Sequence, residues 1–219
     1  LGDKYYSGKR PNGIYILRFR NLPWDPSTKM KDFIRGYGYQ GGASRDNWSD
    51  AIAELGFGAD FKEALKKPGQ WSMGINGFGE CLPYHENKVT LNTEVLDKYG
   101  MPTLTMDVEF KENEMNTRKD MASQAAEMLE AAGLKEVEAY DKTSYPGLGI
   151  HEMGTARMGS NPKTSVLNKW NQVWDCKNIF VTDGSFMTSA GCQNPSLTYM
   201  AFTARAADYA VSEMKKGNL

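Results

Sequence analysis

The residues best suited to chemistry lie in the last third of the chain. His151 stands in GLGIHEMGTARMG, where glycines at 147, 149, 154 and 159 let the backbone pack closely around an imidazole. Imidazole is the side chain that exchanges its proton near neutral pH. A structural histidine and a proton-transfer histidine both satisfy this spacing, and residue type alone leaves both readings open. Asn194-Pro195 precedes an apolar stripe at helical spacing. Asparagine before proline is what plain helix capping requires, and the same helix start, with free N–H groups and the positive end of the dipole, also suits an anion or an electron-rich carbonyl.

Other constellations exclude more than they offer. His85 has Cys81 four residues before it and no further ligand at metal spacing, so no metal site is expected. The three cysteines, Cys81, Cys176 and Cys192, are odd in number and widely spaced, which reads as reduced thiols rather than a disulfide framework. Gly36-Tyr-Gly38-Tyr-Gln-Gly41 has the letters of a dinucleotide-binding GxGxxG. It follows the charged amphipathic stretch KMKDFIR rather than a buried strand, and the breakers after it cannot open a helix, so it reads as a surface loop. No GxSxG elbow is present for a serine hydrolase.

The elements that must position these residues fall into two parts. IYILRF at 14–19 reads as a strand, and the apolar positions between Ser49 and Lys66, broken by Gly56 and Gly58, read as two short helices. The β-prone runs 71–83, 88–92 and 103–110 predict an antiparallel sheet. Met115, Met121, Ala125, Met128, Leu129 and Ala132 recur at helical spacing, with Asn113 as the expected N-cap and Gly133 as the left-handed stop. VEAY at 137–140 follows as a short strand. Composition then shifts to glycine and proline, which places a boundary near 145 and divides the chain into 1–145 and 146–219. Beyond it, IFVT at 179–182 has the purely apolar character of a strand buried on both faces. In the final helix, Leu197, Met200, Ala201, Ala204, Ala207, Val211 and Met214 share one face. The fold class expected from this order is α+β, an antiparallel sheet covered by helices.

Composition narrows the function classes. The 219 residues carry 26 Lys and Arg against 27 Asp and Glu, a net charge of -1 with no basic stripe, which argues against nucleic-acid binding. No apolar run approaches the roughly 20 residues that span a bilayer, and the first residues lack a signal-peptide order, leaving cytoplasmic and periplasmic locations both open.

Four segments follow one another in order: HEMGTARMG from His151, NIFVTDGS from Asn178, NPSLTYMA from Asn194, and ARAAD at 204–208. Together they resemble the carboxyl-terminal signature of the glucose-methanol-choline family of flavoenzymes. GECLPYHENKVTLN, with DKYGMP and TLTMDVEF after it, is similar to the substrate-domain sheet of that family, most like its pyranose-oxidase and gluconate-dehydrogenase branches. The resemblance covers 148–210 and, more weakly, 72–110.

It implies an FAD-dependent oxidoreductase that oxidises a CH–OH group of an alcohol, polyol or sugar by hydride transfer to flavin N5. By motif position, His151 takes the hydroxyl proton and Asn194 is its partner. Asp183, Gly184 and Ser185 would lie near the ribityl and phosphate portion of FAD, and Pro195, Ser196 and Thr198 near the pyrimidine end. The family's amino-terminal GxGxxG unit has no counterpart here, so the chain is expected to be the carboxyl-terminal portion, partnered by the amino-terminal flavin-binding part of the same parent. By itself it is expected to be inactive, with the apolar surface of 150–219 covered by self-association or rearrangement. The alternative is a non-catalytic carbohydrate-binding module with Trp71, Phe78 and Tyr84 as its binding face.

Overall fold

The computed structural model of the chain describes residues 13–45, 57–64, 66, 70–142 and 144–219. Strands β1 (Gly13–Ile16), β2 (Tyr37–Arg45) and β3 (Trp71–Gly79) form an antiparallel sheet in that order. The central strand overturns the surface loop expected at Gly36–Gly41. Its glycine-tyrosine alternation has the period of a strand, so Tyr37 and Tyr39 point into the core while Gly38 and Gln40 occupy the opposite face. The glycines serve close strand approach rather than a turn. A Cβ on Gly38 would come within 2.6 Å of the Ile16 carbonyl oxygen, and one on Gly41 would overlap the backbone of Gly74 and Ile75.

Strands β4 (Lys88–Leu96) and β5 (Pro102–Asp107) form a separate two-stranded sheet, with a register shift between Asn92 and Leu96. The single sheet expected for these runs is therefore divided in two, because β3 finds its partner in β2. Of the two helices expected between 49 and 66, the structure describes α1 (Gly58–Ala64), and the remainder lies outside the described residues.

Helix α2 (Glu112–Ala131) covers one face of the three-stranded sheet. It ends before Gly133, whose φ of +88° is the left-handed stop expected there. Asn113 is not its cap. Lys111 takes that place, and the Glu114 carboxylate accepts from Lys111 N at 3.1 Å and from Leu82 N at 2.9 Å, which anchors the helix start to the chain following β3. Asn113 lies within the first turn and accepts from Ile34 N at 2.8 Å. Under α2, Phe33, Tyr37 and Tyr39 form the buried core with Ile16, Phe19, Met30, Ile75, Met121, Ala125 and Met128 around them. The helical spacing seen in the sequence thus has its reason in this contact. Residues 137–140, expected as a strand, pair with no strand; Tyr140 instead donates its hydroxyl to Asn76 Oδ1 at 2.8 Å.

The tyrosines are held at their polar ends. Tyr39 donates its hydroxyl to Met121 O at 2.7 Å, and Tyr37 donates to the Asp120 carboxylate, which Arg20 Nε also meets at 3.0 Å. Burial, followed by the bond to Asp120, pushes the Tyr37 phenol well above its ordinary range, so it remains a donor. Tyr37→Phe removes a donor from a partly buried carboxylate and is expected to lower stability by about 1–3 kcal/mol. Chemical denaturation with unchanged m-value checks this.

In the last part of the chain Leu167, Asn171, Phe186 and Ala206 are almost fully buried and mark a second packed region. Helix α3 (Ser196–Lys215) closes it. Phe186 stacks on Phe202 at 4.8 Å and meets Tyr199 edge-on at 6.2 Å, while Trp170 stacks on Tyr209 at 4.7 Å. The inward face of α3 is therefore aromatic. The alanine-leucine-methionine stripe seen in the sequence is present but faces outward, with Leu197 77% and Met200 67% exposed. IFVT at 179–182 is not a strand buried on both faces: among the described residues its only ladder contact is a single antiparallel bridge between Phe180 and Gln172, and Ile179 is half exposed. Such a strand needs a neighbour on each edge and cover on each face, and none of the described residues supplies them.

The architecture is α+β, with antiparallel sheets. Among the described residues, no helix is long and apolar enough to cross a membrane.

Candidate active site

His151 lies in a tight turn whose backbone is strained at the residue before it. Ile150 has φ +69°, a left-handed conformation that a β-branched side chain rarely adopts, and its side chain is 90% exposed, so no burial compensates for it. The turn is held from the other side by Glu152 Oε1, which accepts from Gly149 N at 2.6 Å. Strain of this kind persists only where surrounding structure imposes it, and it clusters at sites of function. His151 itself is half-buried.

The segment after His151 packs on the Asp183 turn. A Cβ on Gly184 would meet Met153 Sδ and Tyr199 Oη at 2.8 Å and Glu152 O at 3.2 Å, so the two segments are in close contact there. Ala156 N and Met158 N donate to Ser185 O and Phe186 O at 3.0 and 2.9 Å, which continues the contact. Asp183 caps the short 3-10 turn Gly184–Phe186 and accepts from Ser185 N at 2.9 Å and Ser185 Oγ at 2.5 Å. The hydroxyl, then the backbone N–H, of Ser185 hold the Asp183 carboxyl below the usual carboxylate range, so it stays an anion at the exposed edge of the turn.

Residues 187–194 lead from this turn towards α3 and touch the sheet on the way. Gly154, at φ +91°, lies where a Cβ would be 3.2 Å from Thr188 O, next to the His151 segment. One residue further, Ser189 donates to Glu80 Oε1 at 2.7 Å, and Arg35 Nε is 3.3 Å from the same oxygen. At the end of the loop, Asn194 Nδ2 donates to Gln40 Oε1 of β2 at 3.3 Å. The loop thus lies beside the His151 turn at one end and on the sheet face opposite α2 at the other. No hydrogen bond joins His151 to Asn194.

Asn194 does not cap α3, contrary to the plain reading of its sequence. Pro195 occupies the cap position, no side chain caps the helix, and the asparagine amide is spent on Gln40 instead. Ser196 and Leu197 are exposed, Thr198 is half-buried and Pro195 is buried, so the first turn of a 20-residue helix presents its N–H groups uncapped. Gln40 is the residue that sequence reading missed. Its signal was the period-two run of Tyr37, Tyr39 and the intervening glycines, whose glycines read locally as those of a surface loop.

The aromatic face proposed for a carbohydrate-binding module does not assemble. Trp71 and Phe78 lie seven residues apart on β3, an odd separation that puts them on opposite faces of the sheet. Tyr84 lies beyond the strand beneath the Lys111 ammonium, which is 4.6 Å from its ring. All three cysteines are free thiols, and among the described residues no three His, Cys, Asp or Glu side chains gather to hold a metal ion.

Residues 83–203 match the model of the GMC oxidoreductase family, specifically its carboxyl-terminal domain. The chain is similar to a 2-methyl-1,2-propanediol dehydrogenase of Mycolicibacterium austroafricanum, 42% identical over 60% of this chain and 24% of that protein. It is also similar to the gluconate 2-dehydrogenase flavoprotein of Pantoea cypripedii, at 26% over 67% of this chain and 25% of that one. A pyranose 2-oxidase of Lyophyllum shimeji is 31% identical over 65% of this chain and 23% of its own length. The chain spans about a quarter of the length of these relatives.

Proposed function

This chain belongs to the GMC oxidoreductase family, and from that premise we propose that it is the carboxyl-terminal part of an FAD-dependent enzyme that oxidises a CH–OH group of a sugar, polyol or other alcohol. In this reading residues 1–145 bind substrate and 146–219 return to the flavin-binding domain supplied by the amino-terminal part of the same protein. The outward stripe of α3, from Leu197 to Met214, is the surface assigned to that part.

The observation that carries the proposal is the use made of Asn194. A capping asparagine would bond the first helical N–H groups; this one turns to the sheet and leaves them free. The uncapped start of α3 fits a flavin, because N–H groups of Ser196, Leu197 and Thr198 and the positive end of the dipole favour electron-rich carbonyls and negative charge. Asp183, Gly184 and Ser185, with Pro195, Ser196 and Thr198, are the residues assigned to hold the cofactor. FAD, when bound, supplies the acceptor for the hydride that leaves the carbinol carbon.

The chain's own residues handle the remaining proton and charge. As the C–H bond breaks, negative charge builds on the alcohol oxygen and its proton must leave. His151, which follows the strained Ile150, takes that proton, and Asn194 holds the oxygen by its amide. The product is the corresponding carbonyl compound.

The test is anaerobic mixing of the FAD-loaded full-length protein with 2-methyl-1,2-propanediol, D-gluconate and D-glucose as probes. Loss of the oxidised-flavin absorbance with at least one is expected. A protein that retains no FAD, or whose flavin stays oxidised with all three, overturns the proposal.

A further inference from the structure

Gln40 sits in the middle of the central strand, on the sheet face opposite the tyrosine core, and its amide is only half satisfied. The oxygen accepts from Asn194 Nδ2 at 3.3 Å; the nitrogen is buried from solvent and has no hydrogen-bond partner. Its cross-strand neighbours do not help: Tyr15 and Asn76 lie opposite it in the two pairings, and Asn76 Oδ1 is already taken by the Tyr140 hydroxyl. A buried amide N–H without a partner costs about 1–3 kcal/mol. Leucine or methionine at this position would fill similar space without that cost. As a tie between sheet and loop the residue is a poor choice, since a single 3.3 Å bond returns less than the orphaned nitrogen loses.

What Gln40 does achieve is orientation. An asparagine amide is symmetric in shape but not in chemistry, and an exposed one rotates freely between two settings. An acceptor on the strand permits only the setting in which Nδ2 faces the sheet, with Oδ1 and the second N–H turned away from it. β2 is pinned on one side by the tyrosine core and on both edges by β1 and β3, so the backbone from which the Gln40 amide projects is fixed. The Asn194 loop is also held by Ser189 on Glu80, the residue that follows β3.

We propose that Gln40 is a positioning residue for Asn194, setting which end of the asparagine amide meets the alcohol oxygen. This rests on the reading of Asn194 given above. Its cost in stability is the orphaned nitrogen, and its return appears only in the rate.

The experiment is a double-mutant cycle in the FAD-loaded full-length protein, following flavin reduction with whichever probe reduces the wild type, together with melting temperatures. Gln40→Leu is expected to leave the melting temperature unchanged or raised while lowering kcat by about 10- to 100-fold, the usual consequence of a misplaced reacting partner, with little change in KM. Gln40→Glu keeps an oxygen facing Asn194 Nδ2 and is expected to recover most of that loss. In the Asn194→Ala background, Gln40→Leu should have no further effect, because its influence passes through the asparagine. A purely structural role predicts a lower melting temperature and additive losses, and either overturns the proposal. Wild-type kcat in Gln40→Leu with an impaired Asn194→Ala overturns the positioning role and leaves the proposed function standing. Wild-type reduction in Asn194→Ala overturns both.

Discussion

On the role proposed for His151, His151→Ala is expected to lower the rate of flavin reduction by about 10²- to 10⁴-fold, the usual worth of a positioned general base. The magnitude follows from where charge must go. Breaking a carbinol C–H bond heterolytically requires electron density on the oxygen, and an alcohol that keeps its proton cannot supply it at neutral pH. The backbone around the histidine is constrained: Ile150 is held at φ +69° before it, Glu152 binds back to Gly149 N after it, and a Cβ on Gly154 would lie 3.2 Å from Thr188 O. Stopped-flow reduction of the FAD-loaded full-length variant is the measurement, with its melting temperature as control. Near-wild-type reduction in a folded variant moves the base elsewhere in the protein.

Gly41→Ala breaks the pairing of β2 with β3 and costs at least about 3 kcal/mol, the upper part of the range for overpacking. The added carbon meets backbone on the facing strand, overlapping Gly74 O and lying 2.8 Å from Ile75 Cα and Cγ2. A side chain could rotate aside; a strand held along nine residues by its neighbour cannot. Relief requires β2 to move, and β2 carries both buried tyrosines and Gln40. The loss is a large fraction of the roughly 5–15 kcal/mol that stabilises a domain. Gly74→Ala is the internal control. It lies on β3 beside the same contact, yet a Cβ there meets nothing within 4 Å, so its stability should change by no more than about 0.5 kcal/mol. Equal denaturation midpoints for the two variants would show that the sheet yields at Gly41.

Local periodicity was legible along much of the chain. Helix α3 begins at Ser196, one residue after the Pro195 at which the Asn-Pro pair indicated its start, Gly133 stops α2 with a positive φ, and the runs at 71, 88 and 103 are strands. The order of the four carboxyl-terminal segments was enough to name the family. These features depend on residues near one another in sequence, where spacing and backbone preference act directly.

What the sequence alone could not supply were the relations between distant residues. Glycine reads locally as a breaker, and only a neighbouring strand pressing on Gly38 and Gly41 shows why GYGYQG is the centre of a sheet. An apolar stripe marks a helix face without saying whether that face is covered, and in α3 it is the aromatic side that packs inward. Asn194 carries the strongest lesson. Its neighbours Pro195 and Ser196 specify a cap, whereas its partner, Gln40, is 154 positions away on another element. Capping depends on the next three residues and is written locally. Which acceptor an amide finds across the molecule depends on how a loop, a strand and a helix are brought together, and that is decided only by the folded chain.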